Sequence, residues 1–293
     1  MQKIKVAAIT MNGLLGQAEQ NLARIEQWAR CARDAGAELA LFPELVVHGH
    51  CDPDTWFNAE PVPGGPATQR LCRLARELGL FLCVGLSEKD RDLVYNTQVL
   101  AGPQGFIGAQ RKIHLSRDEV IYYKGGMEMP VFDIGKARIG ISICYDNWLP
   151  EVCRILALKG ADVLLMPHAM RMKMWEDTPE SERAAAVCSR QFWLTTYPMR
   201  AVENACYAVI CDQAGRAGYV ATYPKDSPSQ PHHAGGCVVI DPNGEIAGET
   251  QCERIQEDML VVDLLPEKLW EARSKPNYTL RTRRPELFGL LSA

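Results

Sequence analysis

Gly36-Ala37-Glu38-Leu39-Ala40-Leu41-Phe42-Pro43 reads as a short buried strand launched by a glycine and stopped by a proline. The same pattern returns 124 residues later as Gly160-Ala161-Asp162-Val163-Leu164-Leu165-Met166-Pro167. Each copy follows a helical pattern. Leu22, Ile25, Trp28, Ala32 and Ala35 recur at helical spacing ahead of the first, and Pro150 to Lys159 reads as a helix ahead of the second. A turn signal repeats too, Pro103-Gln104-Gly105-Phe106-Ile107 matching Pro242-Asn243-Gly244-Glu245-Ile246 after 139 residues, so a duplication carries about 15 extra residues in its second copy. Helix-glycine-strand and Pro-x-Gly turns are each common by chance. Both matches in the same order favour a duplicated α/β unit, two sheet-and-helix halves packed as one pseudo-symmetric sandwich.

Working outward, Lys5 to Ile9 predicts a buried strand ahead of the first helix, and Leu71, Leu74, Ala75 and Leu78 predict a second helix. Phe81 to Leu86, Val94 to Ala101 and Phe106 to Gln110 predict three further strands. The second half predicts strands at Arg138 to Ile143, Val163 to Met166 and Tyr207 to Asp212, with helical stretches within Pro179 to Ala205. No long linker divides the halves, so residues 1–293 are read as a single domain.

With 293 residues, 47% hydrophobic and 23% charged, the chain has the material for a large core, which excludes disorder. A net charge of -4 gives no global attraction for nucleic acid or anionic lipid. No stretch approaches the roughly 18 to 20 apolar residues of a membrane span, and Met1-Gln2-Lys3-Ile4 enters a strand pattern without a signal peptide. The expectation is a cytoplasmic protein. Its 11 cysteines are scattered through apolar segments and read as mostly reduced core fillers.

One cysteine stands apart. In Arg138-Ile139-Gly140-Ile141-Ser142-Ile143-Cys144, period-two alternation puts the three isoleucines on one face and Gly140, Ser142 and Cys144 on the other. Tyr145-Asp146-Asn147-Trp148-Leu149-Pro150-Glu151 follows, so Cys144 falls on a strand-to-helix turn whose backbone N–H groups face an oxyanion and favour a thiolate. A strand-end cysteine is otherwise usually a core filler. Glu44, just after Pro43, is placed at the same sheet edge as a general base, against the plainer reading of a loop glutamate. Lys112, in Arg111-Lys112-Ile113-His114-Leu115, supplies an ammonium for a tetrahedral oxyanion, or else belongs to a solvated basic pair.

Phe42-Pro43-Glu44, Arg111 to Leu115, and Ile143-Cys144-Tyr145-Asp146-Asn147-Trp148-Leu149-Pro150-Glu151 together resemble the Glu-Lys-Cys triad segments of the nitrilase superfamily, the carbon–nitrogen hydrolases. The likeness extends to Val94-Tyr95-Asn96-Thr97, Gly160-Ala161-Asp162 with Pro167, Arg200-Ala201-Val202-Glu203-Asn204 and Asp241-Pro242-Asn243-Gly244, covering almost the whole chain. It implies a four-layer α-β-β-α sandwich with two pseudo-symmetric halves, a homodimer or higher homo-oligomer, and no cofactor. By the same likeness Glu119, ahead of Tyr122-Tyr123 and Gly125-Gly126, joins the site beside Lys112, with Asp118 as the neighbouring competitor.

The resemblance implies that Cys144 attacks an amide, carbamoyl or nitrile carbon while Glu44 moves the proton and Lys112 with the Tyr145 backbone N–H holds the oxyanion. Cys-Tyr-Asp followed by Leu-Pro-Glu looks closer to the amidase and carbamoylase branches than to true nitrilases. Trp148 is expected near substrate. His168 falls where Glu44 would fall if the halves are superposed, and in the following Ala169 to Trp175 either Arg171 or Lys173 is a candidate partner for a substrate carboxylate. Val47-His48-Gly49-His50-Cys51-Asp52 invites a metal, but its spacing is poor and no second cluster completes a site. The segment is read instead as the pocket entrance, with His50 standing where many family members carry tyrosine, and His232-His233 closes a loop over Tyr223 to Pro231. Readings from other classes are a redox-sensing thiol protein built on Cys144 and a non-catalytic scaffold.

Overall fold

The computed structural model describes residues 1–117, 119–172, 178–218, 224, 227, 230–250 and 254–292. In the first half, β1 (Ile4–Thr10), β2 (Leu39–Leu41) and β3 (Phe81–Asp90) run parallel, and β4 (Leu93–Gly102) and β5 (Gly105–Arg111) continue the sheet by antiparallel hairpins. Helices α1 (Ala18–Asp34), α2 (Thr55–Asn58) and α3 (Pro66–Leu78) make the connections, with Leu22, Ile25 and Ala32 of α1 and Leu71, Leu74, Ala75 and Leu78 of α3 buried as their spacing predicts. The predicted strand at Leu39 is shorter than its apolar run. Phe42 still donates its N–H to Cys83 O, and the chain then turns out of the sheet at Pro43.

The second half repeats this plan. After α4 (Glu119–Tyr122), β6 (Val131–Asp133) pairs antiparallel with β7 (Arg138–Ile141), which runs parallel to β8 (Val163–Pro167) through α5 (Pro150–Leu158). Past the two-residue β9 (Arg171–Met172), α6 (Pro179–Asn204) leads to β10 (Tyr207–Cys211), parallel to β8. The helical stretches form one helix, although Pro198 lies inside it. β11 (Ala214–Arg216), β12 (His232–Ala234) and β9 form a small separate sheet, and β13 (Cys237–Ile240) and β14 (Ile246–Glu249) extend the main one by a hairpin. β15 (Asp258–Leu264) returns to pair antiparallel with β1, ahead of α7 (Pro266–Ser274) and α8 (Thr279–Thr282).

The two orders are β15-β1-β2-β3-β4-β5 and β14-β13-β10-β8-β7-β6. Reading the second backwards, three parallel strands and two antiparallel ones follow an antiparallel edge strand in both. The repeated glycines that launch β2 and β8 match as well, Gly36 at φ +80° and Gly160 at φ +91°. The sheets face each other across a core that includes Val6, Leu41, Ile139, Ile141, Ile143, Leu165 and Val209. The outer face of the first sheet packs on α1 and α3, and that of the second on α5 and α6, giving four layers in the order α-β-β-α. Parallel strands buried on both faces explain the continuous apolar runs of β2, β8 and β10. Among the described residues no helix is long and apolar enough to cross a membrane.

Candidate active site

Strands that end at one rim of the sandwich deliver the predicted residues. Glu44 follows β2 in a turn laid against Gly85 of β3, where any side chain would collide with Leu45 N and Pro43 O at 2.3 and 2.7 Å. Lys112 follows β5 and is fixed by its N–H to Asn96 O at 2.8 Å and by Gly126 N–H donating to Lys112 O at 2.7 Å. The Lys112 ammonium donates to Glu44 Oε1 and Glu119 Oε2, both at 2.7 Å. Asn96 Nδ2 donates to Glu44 Oε1 at 2.7 Å and Glu119 Oε1 at 2.9 Å, and Ser116 adds its N–H and hydroxyl to Glu119 Oε2. All of Glu44, Lys112, Asn96 and Glu119 are buried. Glu44 Oε2 has no hydrogen-bond partner among the described residues.

Cys144 opens a 3₁₀ turn, Cys144–Trp148, in the left-handed backbone region at φ +51°. This overturns its predicted face. The strand alternation ends before it, and the half-buried Cys144 packs against the same inter-sheet core as Ile139, Ile141 and Ile143, whereas Gly140 faces Leu156 and Ala161 on the helix side. Asn147 Nδ2 pins the turn by donating to Ser142 O and Cys144 O, each at 3.0 Å. Left-handed backbone at a non-glycine residue costs roughly 1–3 kcal/mol and persists where the surroundings determine it.

The expected thiolate is not what the surroundings favour. Burial pushes the Cys144 thiol well above its ordinary value, Glu44 and Glu119 push it the same way, and Lys112 with the Ala169 backbone N–H oppose them incompletely. Burial works against the Lys112 charge, but Glu44, Cys144 and Glu119 outweigh it and hold the ammonium. Glu119 keeps its charge in the same way. Burial raises its pKa, while Lys112 and then His50 bring it well below the usual carboxylate range. The surroundings therefore hold the Cys144 thiol toward its protonated form, beside an ion-paired lysine.

The geometry fits one sequence pattern, and the carbon–nitrogen hydrolase family pattern matches residues 5–274. The chain belongs to the carbon–nitrogen hydrolase family. A nitrilase of Pyrococcus abyssi is 36% identical over 216 residues, covering 72% of this chain and 76% of its own. An N-carbamoylputrescine amidase of Solanum lycopersicum is 27% identical over 281 residues, covering 92% and 89%. The crystal structure of Saccharomyces cerevisiae Nit3, a member of branch 10 of the nitrilase superfamily, superposes with a TM-score of 0.79 at 25% identity, over 96% of this chain and 97% of that one.

In this carbon–nitrogen hydrolase the other predicted residues differ in their surroundings. His168 is buried, its ring stacked on Tyr197 at 5.4 Å between centroids, and burial followed by Lys112 brings its pKa down to about 3. His50 is buried with Nε2 at 3.7 Å from Glu119 Oε1 and 3.9 Å from Cys51 Sγ. Burial opposes its charge, but Cys51 and Glu119 raise it to about 10. Glu44, His50 and Glu119 offer ligand atoms within 4.8 Å of one another, which has the look of a metal site. The Lys112 ammonium already bridges the two carboxylates, so the donor set does not fit a cation there. Tyr145 and Trp148 are 36% and 52% exposed, with their rings 5.7 Å apart between centroids. Arg171 sits half-buried on β9, opposite His233 of β12. Lys173, Asp118 and most of Tyr223 to Pro231 lie outside the described residues.

Sequence reading of roles missed Asn96, Ser116, Asp146 and Gln213. Gln213 donates Nε2 to Glu44 O at 2.7 Å and accepts Gly13 N–H at 2.9 Å, holding the Glu44 turn from the second sheet. Asn96 carries a detectable signal, a polar residue inside the apolar strand Val94 to Ala101. Gln213 carries none, because its partner is remote in sequence.

Proposed function

We propose that this protein hydrolyses the C–N bond of a small linear amide or N-carbamoyl compound through a covalent thioester on Cys144. One observation carries the reading: Lys112 is clamped between the buried carboxylates Glu44 and Glu119 while the second oxygen of Glu44 has no partner among the described residues. Glu44 Oε2 takes the Cys144 proton as the sulfur attacks the carbonyl carbon, and passes it to the departing nitrogen when the C–N bond breaks. Ammonia leaves and the acyl group stays on sulfur. Glu44 then takes a proton from water, the resulting attack breaks the C–S bond, and Glu44 returns that proton to the thiolate. Of the three N–H bonds of Lys112, two are spent on carboxylates and the third serves the oxyanion together with the Tyr145 N–H, which the first turn leaves without an intrahelical acceptor.

Ammonia release from a panel of amides, N-carbamoyl amino acids and amines, and nitriles, with mass spectrometry of the intact chain to trap an adduct on Cys144, tests this. A panel without ammonia release, or an adduct on another cysteine, overturns it. The Pyrococcus abyssi relative named a nitrilase favours a second reading, hydrolysis of a small nitrile. Ammonia from nitriles but not amides would select that reading. The proposal includes pairing between copies, supported by exposed Leu158, Val187, Met199 and Val202 on α5 and α6, and sedimentation checks it.

A further inference from the structure

Three neighbouring parallel strands of the second sheet end side by side, and each presents a different polar residue at the rim. β7 leads to Cys144, β8 to His168 and β10 to Asp212, with β8 in the middle. Adjacent strands lie about 4.8 Å apart, so His168 stands between the nucleophile and Asp212. Its backbone is locked there by its N–H to Cys211 O at 2.8 Å and by Gln213 N–H to its own carbonyl at 3.2 Å. From α6, Tyr197 stacks on the His168 ring and Trp193 lies 6.0 Å from it between centroids.

These four residues are buried, yet among the described residues His168 Nε2, Tyr197 Oη, Trp193 Nε1 and Asp212 Oδ2 have no hydrogen-bond partner. Buried polar atoms in native proteins are nearly always paired, and four orphans on adjoining side chains beside a nucleophile mark a surface that meets a ligand. We propose that His168, Tyr197 and Asp212 are specificity-determining residues which take an uncharged hydrogen-bonding group of the substrate, such as a hydroxyl, carboxamide or ureido group, and disfavour a carboxylate or ammonium. This deepens the reading of Cys144 as nucleophile and rests on it.

The argument is one of charge as well as shape. Burial, with Lys112 adding to it, lowers His168 to about 3. Burial pushes Asp212 well above the usual carboxylate range, with Glu44 adding to it against the N–H groups of Met170 and Gln213, and burial likewise pushes the Tyr197 hydroxyl up. Two cations that act on this wall are engaged, Lys112 with Glu44 and Glu119, and His50 with Glu119. A substrate carboxylate buried against this wall meets neutral groups and spent cations, and an ammonium meets Lys112. Either charge loses water without gaining a counter-charge, whereas a neutral polar group satisfies the orphans.

The test is calorimetric binding to the full-length Cys144→Ala protein, which cannot turn over its ligand. Three probes of similar length are used: succinamide, succinamate and 3-aminopropanamide. Succinamide is expected to bind at least about tenfold more tightly than either charged probe. Adding Tyr197→Phe or His168→Phe should weaken succinamide about tenfold and move the charged probes by less than about twofold. Tyr197→Phe removes one hydroxyl and keeps the ring stack, so it guards against a misfolded His168 variant. A charged probe that binds as tightly as succinamide, equal loss for all three probes, or no binding by any overturns the inference. Selectivity for succinamide in a protein whose wild type releases no ammonia overturns the proposed hydrolysis instead, and turnover without selectivity overturns this inference alone.

Discussion

The His114 backbone N–H donates to Asp146 Oδ1 at 2.7 Å, and the His114 ring Nδ1 lies 2.9 Å from the same oxygen. Asp146 Oδ2 accepts the Ile113 N–H at 3.2 Å. One buried carboxylate thus fastens the segment after Lys112 to the turn that begins with Cys144, joining residues that come from different sheets. Asp146→Ala is expected to lower kcat about 100-fold through misplacement of Lys112 against the thioester carbon, with a smaller change in KM. Steady-state kinetics on the best substrate of the panel decides it, and an unchanged kcat contradicts the fastening role.

Cys144→Ala should abolish turnover. Glu44→Gln, which removes the base, should cost about 10²- to 10⁴-fold in kcat, and Lys112→Ala about 10²- to 10³-fold or more while leaving a measurable trace. Lys112→Ala also leaves Glu44 and Glu119 buried without their cation and should destabilise the fold by roughly 3–5 kcal/mol, read by urea unfolding. Wild-type rates in any of these variants would remove that residue from the machinery.

The raised pKa of the Cys144 thiol has its own signature. Iodoacetamide labelling of Cys144, followed by mass spectrometry, should keep accelerating as the pH climbs beyond 9.0, the ordinary thiol value, because the thiolate fraction is still growing there. In Glu44→Gln one of the carboxylates that raises the thiol is gone, and the curve should shift to lower pH. A plateau below 9.0 in the wild type would show that the resting group is already a thiolate.

Acid stability follows from three buried imidazoles whose pKa is lowered, His48, His168 and His233. Burial brings His48 down to about 4, and His168 to about 3, against 6.5 for an ordinary imidazole. Because the folded values are lowered, their contribution is whole above pH 6.5 and is lost as the pH falls toward the folded values, at about 1.4 kcal/mol per pH unit for each proton. His50, raised to about 10, has the opposite sign and loses its contribution as the pH rises through that value. Urea unfolding between pH 4 and 6.5 should show a shallower slope in His48→Gln, whose amide oxygen can still accept the Ser87 N–H. An identical slope would mean that His48 is not buried neutral.

The repeated Gly-to-Pro strand made the two halves legible, because a parallel strand buried on both faces must be apolar throughout and the glycine that launches it is steric. Glu44, Lys112 and Cys144 were legible as residues just past strand ends. The direction of Cys144 was not, since period-two alternation holds only inside the strand and its backbone turns left-handed immediately after. Asp146 and Gln213 escaped for a different reason: each acts on segments between 32 and 200 residues away, and no local pattern records such a partner. The Trp148 ring packs against Phe192 of α6, a contact that no local pattern records.

The pairing of β1 with β15 has a temporal cost. The strand at residues 4–10 acquires its outer neighbour only when residues 258–264 have been synthesised, and until then its hydrogen-bonding edge is a template for pairing with another chain. Once β15 is seated, the β1 edge is closed.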